Sequence, residues 1–305
     1  MTPAKKCGKV QASSRGMTLV IPVIPLVAFI VAAFCSLCVL PVTARGESFD
    51  HAHWELVLRK FVNEQGRVDY GSLKQSGADL DAYVAALAAR SPKSEPAAFP
   101  SRASQLAYWI NAYNALTISG VVENWPVSSV RKIGFLPFAF FRSKKFTVGG
   151  RQMTLDDIEN ILRQELRETR IHFAIVCASN SCPHLQSGAY TAENVESLLD
   201  QAGRAYVNDP RNLFLDAPHN RATIPSIFKW FRQDFEDYAR RNKLATTGLA
   251  STGDVALDFM RKFANDANRR AIDALKNPRV SYFDYDWGIN DLHAPADTLR
   301  KPGKP

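Results

Sequence analysis

The chain has 305 residues, 46% of them hydrophobic and 22% charged, an ordinary globular balance that excludes a collagen, a disordered regulator and a small disulfide scaffold. Its formal charge of +8 is concentrated at the start: residues 1–44 carry Lys5, Lys6, Lys9 and Arg15 and no acid, leaving 34 basic against 30 acidic residues from Arg45 onward. That residual excess is small and scattered, so no nucleic-acid partner is implied.

From Met17 to Leu40 the chain runs 24 residues without a charge, and Val42-Thr43-Ala44 then supplies a small-residue site suited to cleavage. Residues 1–44 read as an export signal removed after Ala44. At about 1.5 Å per residue the same stretch would reach roughly 36 Å as a helix, so an uncleaved membrane anchor is the alternative. Pro22 and Pro25 disfavour a stable spanning helix, and neither Cys35 nor Cys38 follows the small residue a lipoprotein signal needs. The expected location is extracytoplasmic, periplasmic or secreted, with membrane contact only if the leader is retained. Once the leader is gone, Cys177 and Cys182 are the only cysteines, and in an oxidising compartment they are candidates for one disulfide.

In the remaining chain, Trp54, Leu58, Phe61 and Val62 form one helical face, and Leu80, Tyr83, Val84 and Leu87 another. SPKSEPAAFP (91–100) reads as a loop, with Ser101 as N-cap of a helix over 102–122. FLPFAFFRSKK (135–145) reads as a covered loop, or else as a surface for touching membrane. KKFTV and RQMTL flank Gly149-Gly150 as a hairpin, and Thr154 with Asp157 resembles a capping box opening a helix to about Arg167. IHFAIVC (171–177) is apolar and rich in β-formers, which predicts a buried strand. A helix over 191–207, a second hairpin turning near Pro218 to Asn220, a helix from Pro225-Ser226, helices over 253–263 and 266–276 and a strand over 279–283 complete the order. The expected architecture is α+β: one domain over 45–292, with many helices around a small, mostly antiparallel sheet, and a frayed tail over 293–305.

Three clusters could carry chemistry. The 102–122 helix gathers Leu106, Trp109, Ile110, Tyr113, Leu116 and Thr117 into an arc of about 120°, with Asn114 at its border and Asn111 about 60° further round. The two amides could share a polar pocket as ligand-binding or oxyanion groups, or simply bond neighbouring backbone. The second cluster is His172, Cys177, Cys182 and His184. In an enzyme, Cys177 would be the nucleophile and His172 or His184 the base, while Ser179, Asn180 and Ser181 would offer hydroxyl and N–H groups to an oxyanion or carboxylate. On a continuous strand His172 and Cys177 would lie about 17 Å apart, so His172 needs another partner. C-x4-C-x-H is not a usual closed zinc spacing, and neither a metal nor a cofactor is expected. The third cluster is SYFDYDWGIND, where Asp286 could orient a histidine, or else sit in a turn that bonds the backbone while Trp287 packs.

Taken together, YWINAYNALTI, MTLDDIE with IHFAIVCASNSCPHL, SIFKWFRQDF and SYFDYDWGIN resemble the family called domain of unknown function 547, from about Trp54 to Asn290. The resemblance implies that Trp109, Asn111, Asn114, Cys177, Cys182 and Trp287 belong to a shared pattern. It points to the bacterial exported type, since the coiled-coil segment added in plant relatives is missing here. It carries no assigned catalytic residue. The expected ligand is amide-containing, either peptide-like or cell-wall-derived, and is cleaved by a cysteine hydrolase or transferase, or else bound by a non-catalytic module stapled by Cys177–Cys182.

Overall fold

The computed structural model describes residues 48–242 and 252–294. The chain divides between Ala44 and Arg45, and the described residues all lie in the second unit. The expected leader, with Cys35 and Cys38, lies outside the described residues, as does the tail beyond Ala294. No helix among the described residues is long and apolar enough to cross a membrane.

Three helices open the second unit: α1 (Ala52–Phe61), α2 (Tyr70–Gln75) and α3 (Ala78–Ala89). The Asp69 carboxylate caps α2 by accepting from the Ser72 N–H, a short turn the apolar spacing does not announce. The long α4 (Arg102–Glu123) starts where expected, because Ser101 and Ser104 each accept the other's backbone N–H in a capping box. Its burial differs from the expected single face. Every residue from Leu106 to Ile118 is buried, with Gly120 and Val121 beyond, because α2, α3, α6 (Leu155–Asn160) and α7 (Val195–Asn208) pack around it. At Gly120 an added Cβ would lie 2.5 Å from the Phe140 ring, so that crossing requires glycine.

Between α4 and α6 lie α5 (Ala139–Arg142) and the hairpin β1 (Phe146–Val148) and β2 (Arg151–Met153), paired antiparallel. Gly149 and Gly150 take φ of 55° and 74°, the left-handed backbone such a turn requires. The 135–145 stretch is only partly covered: Phe140 and Phe141 are buried, whereas Phe135 and Leu136 stand in solvent.

After α7 come β3 (Phe214–Asp216), β4 (Arg221–Ile224), α8 (Ile227–Trp230), α9 (Arg232–Arg241), α10 (Val255–Arg261), α11 (Asp266–Asp273) and β5 (Arg279–Tyr282). Strand β4 pairs antiparallel with β3 and parallel with β5. The class is α+β as expected, with a difference in layout: among the described residues two small separate sheets replace one, and the packing centre is α4 rather than a sheet. A second apolar cluster joins Phe173, Phe228, Phe235 and Phe259 under the C-terminal helices.

The expected strand at 171–177 does not form. Thr169–Phe173 is a 3₁₀ turn, begun by the Glu168 side chain accepting from the Arg170 N–H. Beyond it, the Ala174 carbonyl and the Val176 N–H are both taken by the Asn114 side chain. A strand needs those groups free for a neighbouring ladder, and a side chain from α4 occupies them instead.

Candidate functional site

Helix α6 opens with the expected capping box, in which the Asp157 N–H donates to Thr154 Oγ1 and Asp157 Oδ2 accepts from the Thr154 N–H. Its continuation is not α-helical. Ile161–Glu165 forms a π-helical turn, a local widening common at functional sites. On the resulting face Arg163 Nη1 reaches Glu159 Oε1 at 3.5 Å, and its other nitrogens fork onto the carboxylate of Asp234 from α9, at 2.6 and 3.2 Å. Asp234 Oδ2 also meets His172 Nε2 at 2.8 Å. Phe231 covers this chain of charges, its ring 4.3 Å from the His172 ring and 4.7 Å from the Arg163 guanidinium.

This network borders a cavity of about 640 Å³, a size suited to an organic ligand. One part of its lining is aromatic. Trp230 and Trp287 stack with centroids 5.7 Å apart, and Tyr285 lies within 4.8 Å of both. Arg131 sits over the Trp287 ring at 5.9 Å. Another part is charged, formed by Asp156, Glu159 and Arg163 with Arg142, whose Nε lies 3.6 Å from Asp156. The Cys177–Cys182 disulfide completes the wall, and the Tyr285 hydroxyl lies 3.1 Å from Cys177 Sγ.

Burial sets the protonation of the floor. It lifts the Glu159 carboxyl to about 7, with Asp156 and Asp234 adding to the rise and Arg163 opposing it. Asp156 is also raised, mainly by burial, with Arg142 acting against it. His172 is pushed below its ordinary value because burial outweighs its bond to Asp234. Burial works on Asp234 in the opposite sense from its partners, and hydrogen bonds from His172 and Arg163 hold it down at about 2. The site thus holds an anchored anion, a permanent cation and a carboxyl able to gain or lose a proton near neutrality.

The residues singled out from the sequence fall in several places. Cys177 and Cys182 form the disulfide, so Cys177 offers no thiolate and the pair offers no zinc ligands; among the described residues no group of three or more potential ligands gathers. His172 lines the cavity but bonds Asp234, not a sulfur. His184 lies across the loop in a smaller cavity of about 290 Å³, where Arg211 donates to its Nε2 at 2.8 Å. Only Cys182 and Pro183 line both cavities, so the disulfide loop separates His184 from the larger one.

Asn111 and Asn114 do not meet in a pocket. The Asn111 amide exchanges two hydrogen bonds with the Tyr190 backbone, and Asn114 does the same with Ala174 and Val176. Their amides are therefore occupied in the core, and neither is placed as an oxyanion donor. Asp286 orients no histidine: its oxygens accept from Asn180 Nδ2 at 3.0 Å and the Gly288 N–H at 2.8 Å. Ser181 is buried and accepts from the Asp286 N–H, while the Ser179 hydroxyl lies against Cys177 Sγ and the Tyr285 hydroxyl. These loop residues tie the disulfide to the C-terminal segment.

Sequence reasoning missed Glu159, Arg163, Asp234, Trp230 and Phe231. The signals were Asp156, Glu159 and Arg163 at helical spacing, which ordinarily marks a solvated face, and the SIFKWFRQDF motif, which holds Trp230, Phe231 and Asp234 and was read only as part of the family resemblance.

Residues 97–207 match the model of a family described as "Protein of unknown function, DUF547". The match supports the resemblance read from the motifs over a shorter span than Trp54 to Asn290. Within the DUF547 match lie α4, α6, the π turn and the disulfide, whereas Trp230, Phe231, Asp234, Tyr285 and Trp287 come from beyond it. No curated protein and no solved structure matches the chain.

Proposed function

We propose that this protein is an exported domain that binds an amide-containing ligand, peptide-like or cell-wall-derived, in the aromatic-walled cleft. The observation that carries this reading is the cavity of about 640 Å³ in which Trp230, Tyr285 and Trp287 share one lining with Glu159 and Arg163. Flat aromatic surface supplies contact area at low entropic cost, and the few buried polar groups supply orientation. The disulfide favours the stapled binding module over a cysteine hydrolase or transferase, since a sulfur already bonded to sulfur is no nucleophile. Export, to the periplasm or beyond the cell, rests on the charge pattern and cleavage-like triplet of residues 1–44.

Titration of the purified protein with muropeptides, followed by tryptophan fluorescence, tests the reading. The expected result is a saturable change that Trp287→Ala weakens at least tenfold. No saturable change, or equal binding by the variant, rejects the cleft as the site. Intact-mass analysis without reductant separates the cysteine version, which requires both thiols free and one of them reactive toward iodoacetamide.

A further inference from the structure

The cleft contains more than a passive binding surface requires. Asp156 and Glu159 stand three residues apart on α6, so both carboxyls rise from one helix face into the same cavity. Behind Glu159, Arg163 is fixed by a two-point contact with Asp234, and Asp234 is held in turn by His172. A positioned carboxyl beside an aromatic shelf suits a pyranose ring, whose apolar C–H faces pack on Trp and Tyr while its oxygens meet the polar floor.

Resting on the reading of this cleft as the ligand site, we propose that it hydrolyses the glycosidic bond of an N-acetylated amino-sugar chain, with Glu159 as proton donor and then acceptor. The nucleophile is the sugar's own 2-acetamido oxygen, and Asp156 accepts the acetamido N–H. Two features favour an internal nucleophile. The wall sulfur of Cys177 is bonded to Cys182, and the two carboxyls share one helix turn, whereas direct attack by a protein carboxylate needs the nucleophile and the acid to flank the bond.

In the first step the acetamido oxygen bonds to the anomeric carbon as the anomeric C–O bond breaks, and the Glu159 proton passes to the departing oxygen. In the second, water adds to the anomeric carbon and gives its proton to the Glu159 carboxylate, and the oxygen–carbon bond to the acetamido group reopens. The sum is glycoside plus water to two free hydroxyl ends, with no oxidant or further reactant. The elevation of Glu159 to about 7 supplies both protonation states at neutral pH.

The test uses the full chain with N-acetylated chitohexaose and its fully de-N-acetylated counterpart, with products read by mass spectrometry. The acetylated chain is expected to shorten and the deacetylated one to remain intact. Glu159→Gln should slow cleavage by at least about 100-fold while still binding the sugar by tryptophan fluorescence, and Asp156→Asn should slow it by about 10-fold or more. A thiazoline analogue of the cyclised acetamido intermediate should inhibit the unmodified protein, a readout that needs no variant to fold. Equal cleavage of both chains, full activity of Glu159→Gln, or indifference to the thiazoline overturns the mechanism. Saturable binding of the acetylated chain without cleavage rejects hydrolysis and leaves the binding reading standing; failure of both this probe and the muropeptides to bind rejects the two together.

Discussion

Two buried polar regions, one on α4 and one built around α6, have opposite characters. Around α4, Asn111 and Asn114 are sealed from solvent, and each exchanges two hydrogen bonds with backbone. Along α6 and its π turn, Glu159 and Arg163, with Asp234 reaching in from α9, are also largely buried, but they carry ionisable groups beside a cavity and leave Glu159 poised near neutrality. The first arrangement holds distant loops in register. The second sets the cost of burying charge against the attraction between neighbouring ions, beside a cavity, and the proposed hydrolysis rests on that arrangement.

The largest expected effect comes from Asp234→Ala, which strips Arg163 of its closer carboxylate and His172 of its side-chain partner. Urea denaturation should show a loss of roughly 3 kcal/mol, the lower end for a broken buried pair because Arg163 still reaches some water. A loss below half that figure would mean the network contributes little and the contrast with α4 is overstated. Next comes Asn114→Ala, which orphans the Ala174 carbonyl and the Val176 N–H. Its cost should be about 2 to 3 kcal/mol by the same measurement, with ligand binding at saturation unchanged. If binding fails while the fold survives, the amide belongs to the site after all.

Replacing both Cys177 and Cys182 by serine should cost roughly 2 kcal/mol, the chain-entropy value for so short a loop. The remaining test concerns pH. The Glu159 carboxyl is raised from 4.5 to about 7 by folding, so between those values the unfolded chain releases a proton that the folded one keeps. Stability from this group therefore falls as pH rises through that window. His172, lowered by burial, works the other way: below its ordinary 6.5 the unfolded chain gains a proton that the fold resists, so its contribution falls as pH drops. Comparing unfolding of the unmodified protein with Glu159→Gln at pH 5 and 7.5 isolates the first slope. The unmodified protein should lose ground to the variant at the higher pH; a constant or widening advantage would contradict the assigned protonation.

Local signals were legible where one short stretch determines the outcome. The Ser101 cap, the Thr154–Asp157 box and the Gly149-Gly150 turn each involve residues within a few positions, and all three form as read. The failures share a cause in contacts over long separations. The β-formers of 171–177 could not reveal that Asn114, 60 residues earlier, occupies the backbone groups a strand would use. Nor could any spacing show that Asp234 meets His172 across 62 positions, or that a π turn carries Arg163 onto the same carboxylate. The expectation that His172 needs a partner other than Cys177 rested on a strand that does not form; the packing of α9 brings Asp234 to the imidazole instead.

A helix such as α4, enclosed on every side through its middle, has no outward position where a change of residue is harmless. Over those turns a larger side chain meets a neighbour and a smaller one leaves a void, so mutational scanning should find 106–118 among the least permissive stretches of the polypeptide, with tolerated substitutions arising mainly alongside compensating changes in the surrounding helices.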